Sequence, residues 1–275
     1  MQYPFLRFPG FKYKAVTFSY DDGGIFDKRL VQILDKHGLK GTFNLNSGLF
    51  GDEVARRLTK EEILELFQGS VHEVAIHGKK HRSLADAPMA MATDDVIADR
   101  VALEKLFDRI VTGMAYPFGT YNDEVVQMLQ ACGVEYARTI RSTEKFDIPT
   151  DWLRMPATCH HKNPRLMELA REFVDLTRPN HPWNQCARLF YVWGHSYEFN
   201  DNDNWHIIEE FAQFIGGRED IWYATNMEIC KYVKAYDQLQ FSALGDRVYN
   251  PTDRDVYMRY FGKDVLVKAG QTVKL

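Results

Sequence analysis

The 275-residue sequence has only four cysteines, Cys132, Cys159, Cys186 and Cys230, and no two of them form a C-x-x-C pair. That excludes a disulfide framework and a cysteine-based structural zinc site, and reads as buried free thiols in a reducing compartment. Uninterrupted apolar runs long enough to span a bilayer are missing, so no membrane role is expected. The opening stretch, MQYPFLRFPGFKYK, has no apolar core behind a basic head and does not read as a secretion signal. The expected location is therefore cytoplasmic, unless a leader has been removed. Positive charge is not in excess: 34 basic against 38 acidic side chains give a net charge of −4. That argues against a general electrostatic grip on nucleic acid. No G-x-S-x-G or Walker A pattern occurs, which sets aside serine hydrolases and P-loop nucleotide enzymes. Low-complexity segments and short internal repeats are also absent.

What is present is an alternation of strand-like and helix-like segments. KAVTFSY (14–20), GTFNLN (41–46), VHEVAI (71–76), GMAYPFG (113–119), VEYARTI (134–140), ARLFYVWG (187–194) and IWYAT (221–225) read as strands. Between them lie helical patterns at 27–38, 59–69, 93–111, 122–133, 164–177, 203–215 and 226–238, with a Thr59-to-Glu62 capping box opening the second. Residues 142–162 read as irregular. The repetition predicts an α/β protein with a parallel sheet closed into a barrel. From Phe241 onward the pattern changes to short β-like pieces, so the expected division is a barrel over 1–240 and a small β-rich appendage over 241–275.

The predicted strand ends are unusually polar, and in barrels of this kind catalytic groups sit at those ends. VTFSYDDGG delivers Asp21 and Asp22, VHEVAIHGKKH delivers His77 and His81, and LFYVWGHS delivers His195. His77 and His81 are four apart, which on a helical turn puts both imidazoles on one face. With an aspartate they make two histidines and one carboxylate, the pattern of a catalytic metal with an open position. Such an ion acidifies water, and the reaction then needs a base beside it. On this reading Asp22 holds the metal and Asp21 takes the proton.

The motifs SYDDG, HGKKH, YPFG and VWGH stand in the order of the polysaccharide deacetylase (NodB-homology) family, carbohydrate esterase family 4, which the sequence resembles over roughly residues 14–226. The resemblance implies a distorted (β/α) barrel and one divalent ion, zinc being the first choice. It also implies an acetylated carbohydrate as substrate. It places the catalytic base at Asp21, the metal ligands at Asp22, His77 and His81, and the general acid at His195. The oxyanion donor and groove lining fall on Phe118, with Tyr116 and Gly119 beside it.

This sequence departs from the family pattern where an arginine usually precedes the Y-P-F-G segment; here that position is Ala115. In the family that arginine orients the catalytic aspartate. Arg138 and Arg154 are the candidates to replace it. Gly78 follows His77 where the family has Ser or Thr. His160 and His161 in TCHH, and Glu198 with Tyr197 beyond His195, are candidates for lining the pocket or contacting substrate. Trp152, Trp193 and Trp205 could stack on a sugar, with Trp193 reading as core. The leading expectation is removal of an acetyl group from an N-acetylated, or O-acetylated, sugar. Two others stay open: an amidohydrolase acting on a non-sugar amide, and a silent carbohydrate-binding protein. Pure binding needs neither a base at Asp21 nor an acid at His195.

Overall fold

The computed structural model describes residues 3–176 and 186–275. Its strands in chain order are β1 (Leu6–Arg7), β2 (Lys14–Asp21), β3 (Gly41–Leu45), β4 (Glu73–Ile76), β5 (Gly113–Ala115), β6 (Tyr136–Ser142), β7 (Met155–Ala157), β8 (Cys159–His160), β9 (Arg188–Gly194) and β10 (Ile221–Tyr223). Five short strands follow: β11 (Gln240–Phe241), β12 (Arg247–Tyr249), β13 (Val256–Tyr260), β14 (Lys263–Val267) and β15 (Thr272–Lys274). The helices are α1 (Asp27–Lys36), α2 (Lys60–Phe67), α3 (Met89–Phe107), α4 (Asp123–Ala131), α5 (Leu166–Asp175), α6 (Tyr197–Asp201), α7 (His206–Ile215) and α8 (Asn226–Asp237).

A parallel sheet in the order β7-β6-β5-β4-β3-β2-β9-β8, with β10 alongside the start of β2, forms an α/β fold. Its two edge strands are separated by Thr158 alone. Both edges of the curled sheet therefore come from one segment, and no ladder joins β7 to β8. This is a distorted barrel rather than a closed one. The segment had read as irregular because its strands are two or three residues long, too short to carry a period.

Every residue of β2 is buried, as expected for a strand covered on both faces. Val16, Phe18 and Tyr20 join Leu30, Leu34 and Phe211 in the core under the helices. Ala15, on the opposite face, packs with Tyr136, Leu189, Tyr191 and Trp193, and α8 adds Ile229, Cys230 and Val233. Each buried Val, Leu, Ile or Phe among these is worth about 1.5–3 kcal/mol. Asp21 is in phase with Ala15, Thr17 and Ser19, so the strand carries it to the inner face. The four cysteines are free and buried.

Helix boundaries differ from the sequence reading at two places. The third helix begins at Met89, just after Pro88, and ends where Asp108 turns left-handed. The expected helix at 203–215 is present as α7, and a short helix that the sequence reading did not include, α6, precedes it. The expected helix at 164–177 is present as α5, and residue 177 lies outside the described residues. The capping box Thr59–Glu62 is formed at α2. The C-terminal strands make two small antiparallel sheets, β1-β13-β14 and β11-β12-β15. Leu6 pairs with Met258, so the tail is stitched to the start of the chain.

Candidate active site

The Asp-Asp pair resolves into two different positions. Asp21 ends β2, whereas Asp22 has φ +87°, a left-handed conformation that non-glycine residues adopt with strain. That turn swings the Asp22 carboxylate out of the strand's alternation and toward the histidines. Asp22 Oδ1 lies 3.7 Å from His77 Nε2 and 3.5 Å from His81 Nε2. The other oxygen is 3.2 Å from Arg57 Nη1, which also donates to the Asp22 carbonyl.

His77 follows β4 and donates from Nδ1 to the Ala115 carbonyl at 2.9 Å. The proton is thereby held on Nδ1, leaving the Nε2 lone pair directed at Asp22. The H-G-K-K-H segment is not helical, contrary to the expectation from its spacing. It is a loop with His81 at φ +51° and a turn bond from the His81 N–H to the Gly78 carbonyl. Two acids of α3 hold it. Asp99 accepts from the backbone N–H of His77 and of Ser47, and Asp95 from that of Lys80. Gly78 has φ +75°, and a Cβ there would meet Asp95 Oδ2 at 2.6 Å. A Ser or Thr does not fit this loop.

Asp22, His77 and His81 place one donor atom each within 4.8 Å of one another. Asp22 Oδ1 is buried with no hydrogen-bond partner, a costly state for a carboxylate oxygen. Burial, His77 and Asp22 all act on His81, and burial prevails, pushing its pKa down to about 4. Neutral imidazole nitrogen and carboxylate oxygen are the donor set of a divalent ion such as zinc, and the residues fit one.

Asp21 stands on the other side of this set. Arg138 Nη2 donates to both of its oxygens, and Asn44 Nδ2 donates to Oδ1 at 2.8 Å. Burial pushes the Asp21 carboxyl up, but Arg138, His77 and His195 together hold it well below the usual carboxylate range. Arg138 is itself fully buried and lies 4.5 Å from the centre of the Trp193 ring. It is the register partner of Ala115 across β5 and β6. The guanidinium absent at Ala115 thus arrives from the adjoining strand. Arg154 does not approach Asp21; it is taken up by Asp123 and Asp151 at 2.6 and 2.7 Å.

His195, beyond β9, brings Nε2 to 3.8 Å from Asp21 Oδ2, the same distance as His77 Nε2. Its burial pulls the pKa down, but Glu198, Asp21 and Asp22 raise it overall. Glu198, in the first turn of α6, meets His160, His161, Lys162 and His195 at 3.1, 3.1, 2.7 and 3.4 Å. Burial raises the Glu198 carboxyl, but those contacts hold it far below its ordinary range.

The Y-P-F-G segment is a tight turn with Phe118 at φ +56° and its ring 61% exposed. The Gly119 and Thr120 N–H groups bond back to Tyr116 and Pro117, and the Phe118 N–H has no partner among these bonds. The Phe118 ring stands edge-on to His81 at 4.4 Å. Tyr116 is buried and donates to the Leu153 carbonyl. Asn44, Asp95, Asp99 and Arg57 were not singled out from sequence. Only the i, i+4 spacing of Asp95 and Asp99 on one helix face could have signalled a shared task.

Two solved structures share this fold. A candidate polysaccharide deacetylase from Mycobacterium smegmatis is 18% identical, with a TM-score of 0.62 over 84% of this chain and 94% of that one. A family 4 carbohydrate esterase from Streptomyces lividans, solved in complex with acetate, is 13% identical, with a TM-score of 0.51 over 77% of this chain and 92% of that one. At such identities the likeness is one of fold. No curated protein matches the chain. The polysaccharide deacetylase family model matches residues 10–137. That stretch, just under half of the chain, carries the Asp-Asp pair, both histidines of the H-G-K-K-H loop and the Y-P-F-G turn, and over it the chain is similar to the polysaccharide deacetylase family.

Proposed function

We propose that the protein is a metal-dependent hydrolase that removes the acetyl group from an N-acetylated sugar. The observation that carries this reading is the position of Asp21. Its Oδ2 faces His195 Nε2 at 3.8 Å and His77 Nε2 at 3.8 Å. A base and an acid therefore face each other beside the ligand set.

A divalent ion held by Asp22, His77 and His81 would acidify a water and polarise the acetyl carbonyl. The ionised Asp21, fixed by Arg138 and Asn44, accepts a proton from the attacking water. The Phe118 N–H donates to the oxygen that gains charge as the tetrahedral intermediate forms. His195, whose pKa Glu198, Asp21 and Asp22 raise, gives its Nε2 proton to the departing nitrogen. Asp21 and His195 face each other, so the proton taken by one can return to the other. His77 Nδ1 is committed to Ala115 and takes no part in proton movement.

Zinc-loaded protein should release acetate from N-acetylated chito-oligosaccharides, and chelator-treated protein should not. Release of acid from a non-sugar amide, with none from any acetylated sugar, would support the amidohydrolase reading instead. Binding of oligosaccharide by zinc-loaded protein without turnover of any amide or ester would support the silent one.

A further inference from the structure

Glu198 gathers a second set of donor atoms on the His195 side of the site. His160 Nε2 and His161 Nε2 each lie 3.1 Å from Glu198 Oε2, and the three atoms fall within 4.8 Å of one another. Those distances suit hydrogen bonds, yet the alignment does not. His161 is 1% exposed, and neither of its ring nitrogens has a hydrogen-bond partner. At 3.1 Å that means the ring axis aims beside the carboxylate oxygen rather than at it. Ligands of one tetrahedral ion behave in this way, because their lone pairs converge on a point between them. With bonds of about 2.0–2.2 Å they stand roughly 3.3–3.6 Å apart. The Asp22, His77 and His81 set has the same signature: near spacing and an orphaned oxygen.

The surroundings hold these groups in place. The His161 ring is stacked on Phe199 at 4.0 Å and on Tyr20 at 5.8 Å. It lies across Gly194, where a Cβ would meet His161 Nδ1 at 2.1 Å, so only glycine leaves room for it. Lys162 Nζ occupies Glu198 Oε1 at 2.7 Å, while Oε2 accepts one long bond, from the His195 backbone N–H at 3.4 Å. His195 Nδ1, also unpartnered, is 3.4 Å from that oxygen. A second contact competes: the Lys162 N–H lies 3.1 Å from His160 Nδ1. It favours the tautomer with the proton on Nε2, so an ion must displace that bond.

We propose that His160, His161 and Glu198 form a second divalent-cation site, of the zinc class, separated from the Asp22 set by Asp21 and His195. The proposal does not depend on the reaction assigned above, and its test reads metal content rather than turnover. Chelated protein is reconstituted with zinc, desalted, and its zinc counted per chain by elemental analysis. Two zinc ions per chain are expected. His161→Ala and Asp22→Ala should each lower the count to one, and the double variant to none. Because His161 is buried, Glu198→Gln serves as a second probe of the same site, with folding of every variant checked by circular dichroism. One ion per chain in the unaltered protein would overturn the proposal, as would two that survive both His161→Ala and Glu198→Gln. In either case the cluster is an electrostatic anchor for Glu198 and nothing more.

Discussion

The two halves of the molecule build their parts of the site differently. In the first half, Asp21, Asp22, His77 and Phe118 sit at or just beyond the ends of β2, β4 and β5. In the second half Arg138 lies within β6, His160 and His161 come from β8 and the residue after it, and Glu198 comes from α6. A metal site needs lone pairs placed within a few tenths of an ångström, and the candidate ligands His77 and His81 stand at the two ends of a short loop braced by α3. A charge that only orients a neighbour has more freedom. The guanidinium that reaches Asp21 comes from the strand beside the expected one, at the register partner of Ala115.

The comparison breaks most sharply at the Asp-Asp pair. Asp22→Asn should lose the metal and the activity together, since it removes the anionic ligand. Asp21→Asn should keep the metal and lose activity by roughly a hundredfold or more, the scale of general-base loss. Metal content and turnover measured on both purified variants decide it. Equal loss of metal in the two would mean that the pair acts as a single ligand.

A smaller loss is expected at Arg138. Arg138→Ala leaves a buried carboxylate without its main partner, which costs about 3–5 kcal/mol of stability. Misplacing Asp21 should also lower turnover by roughly a hundredfold at most. If position across the ladder is what matters, the double variant Arg138→Ala with Ala115→Arg should recover part of both. Denaturant titration and turnover of the single and double variants test this. A double variant no better than the single would show that Arg138 needs its place over Trp193.

The smallest effect concerns Asp27, which joins the halves. It sits at the start of α1 and accepts a hydrogen bond from Ser196, the residue after His195, at 2.5 Å. Burial pushes its pKa up from 3.8 to about 7, against the pull of Ser196. A carboxyl raised on folding binds its proton more tightly in the folded state. Its contribution is therefore largest below about pH 4 and declines as the pH rises toward 7. Asp27→Asn keeps the acceptor and abolishes that decline. The variant should gain stability relative to the unaltered protein between pH 5 and pH 8 in thermal unfolding scans. A constant difference across that range would show that Asp27 does not titrate there.

Much of this architecture was legible along the chain. β2 is a run of β-branched and aromatic residues, and α2 opens with a capping box, so local propensity and periodicity announce both. The candidate metal set was equally visible, because Asp22, His77 and His81 lie in two short polar segments next to apolar strands. Other features had no local sign. β7 and β8 are too short for a period, and the H-G-K-K-H loop departs from a helix because α3 acids take its backbone N–H groups. Arg138 and Arg154 are each one arginine in a polar context, and only strand register sends one to Asp21 and the other to Asp123 and Asp151. By itself, then, the sequence determined the α/β alternation and which residue types could bind a metal and move a proton. The tertiary structure alone decided which charges meet. Ion pairs and shared ligands depend on distances between segments far apart in the chain, and those are set by sheet register and helix packing.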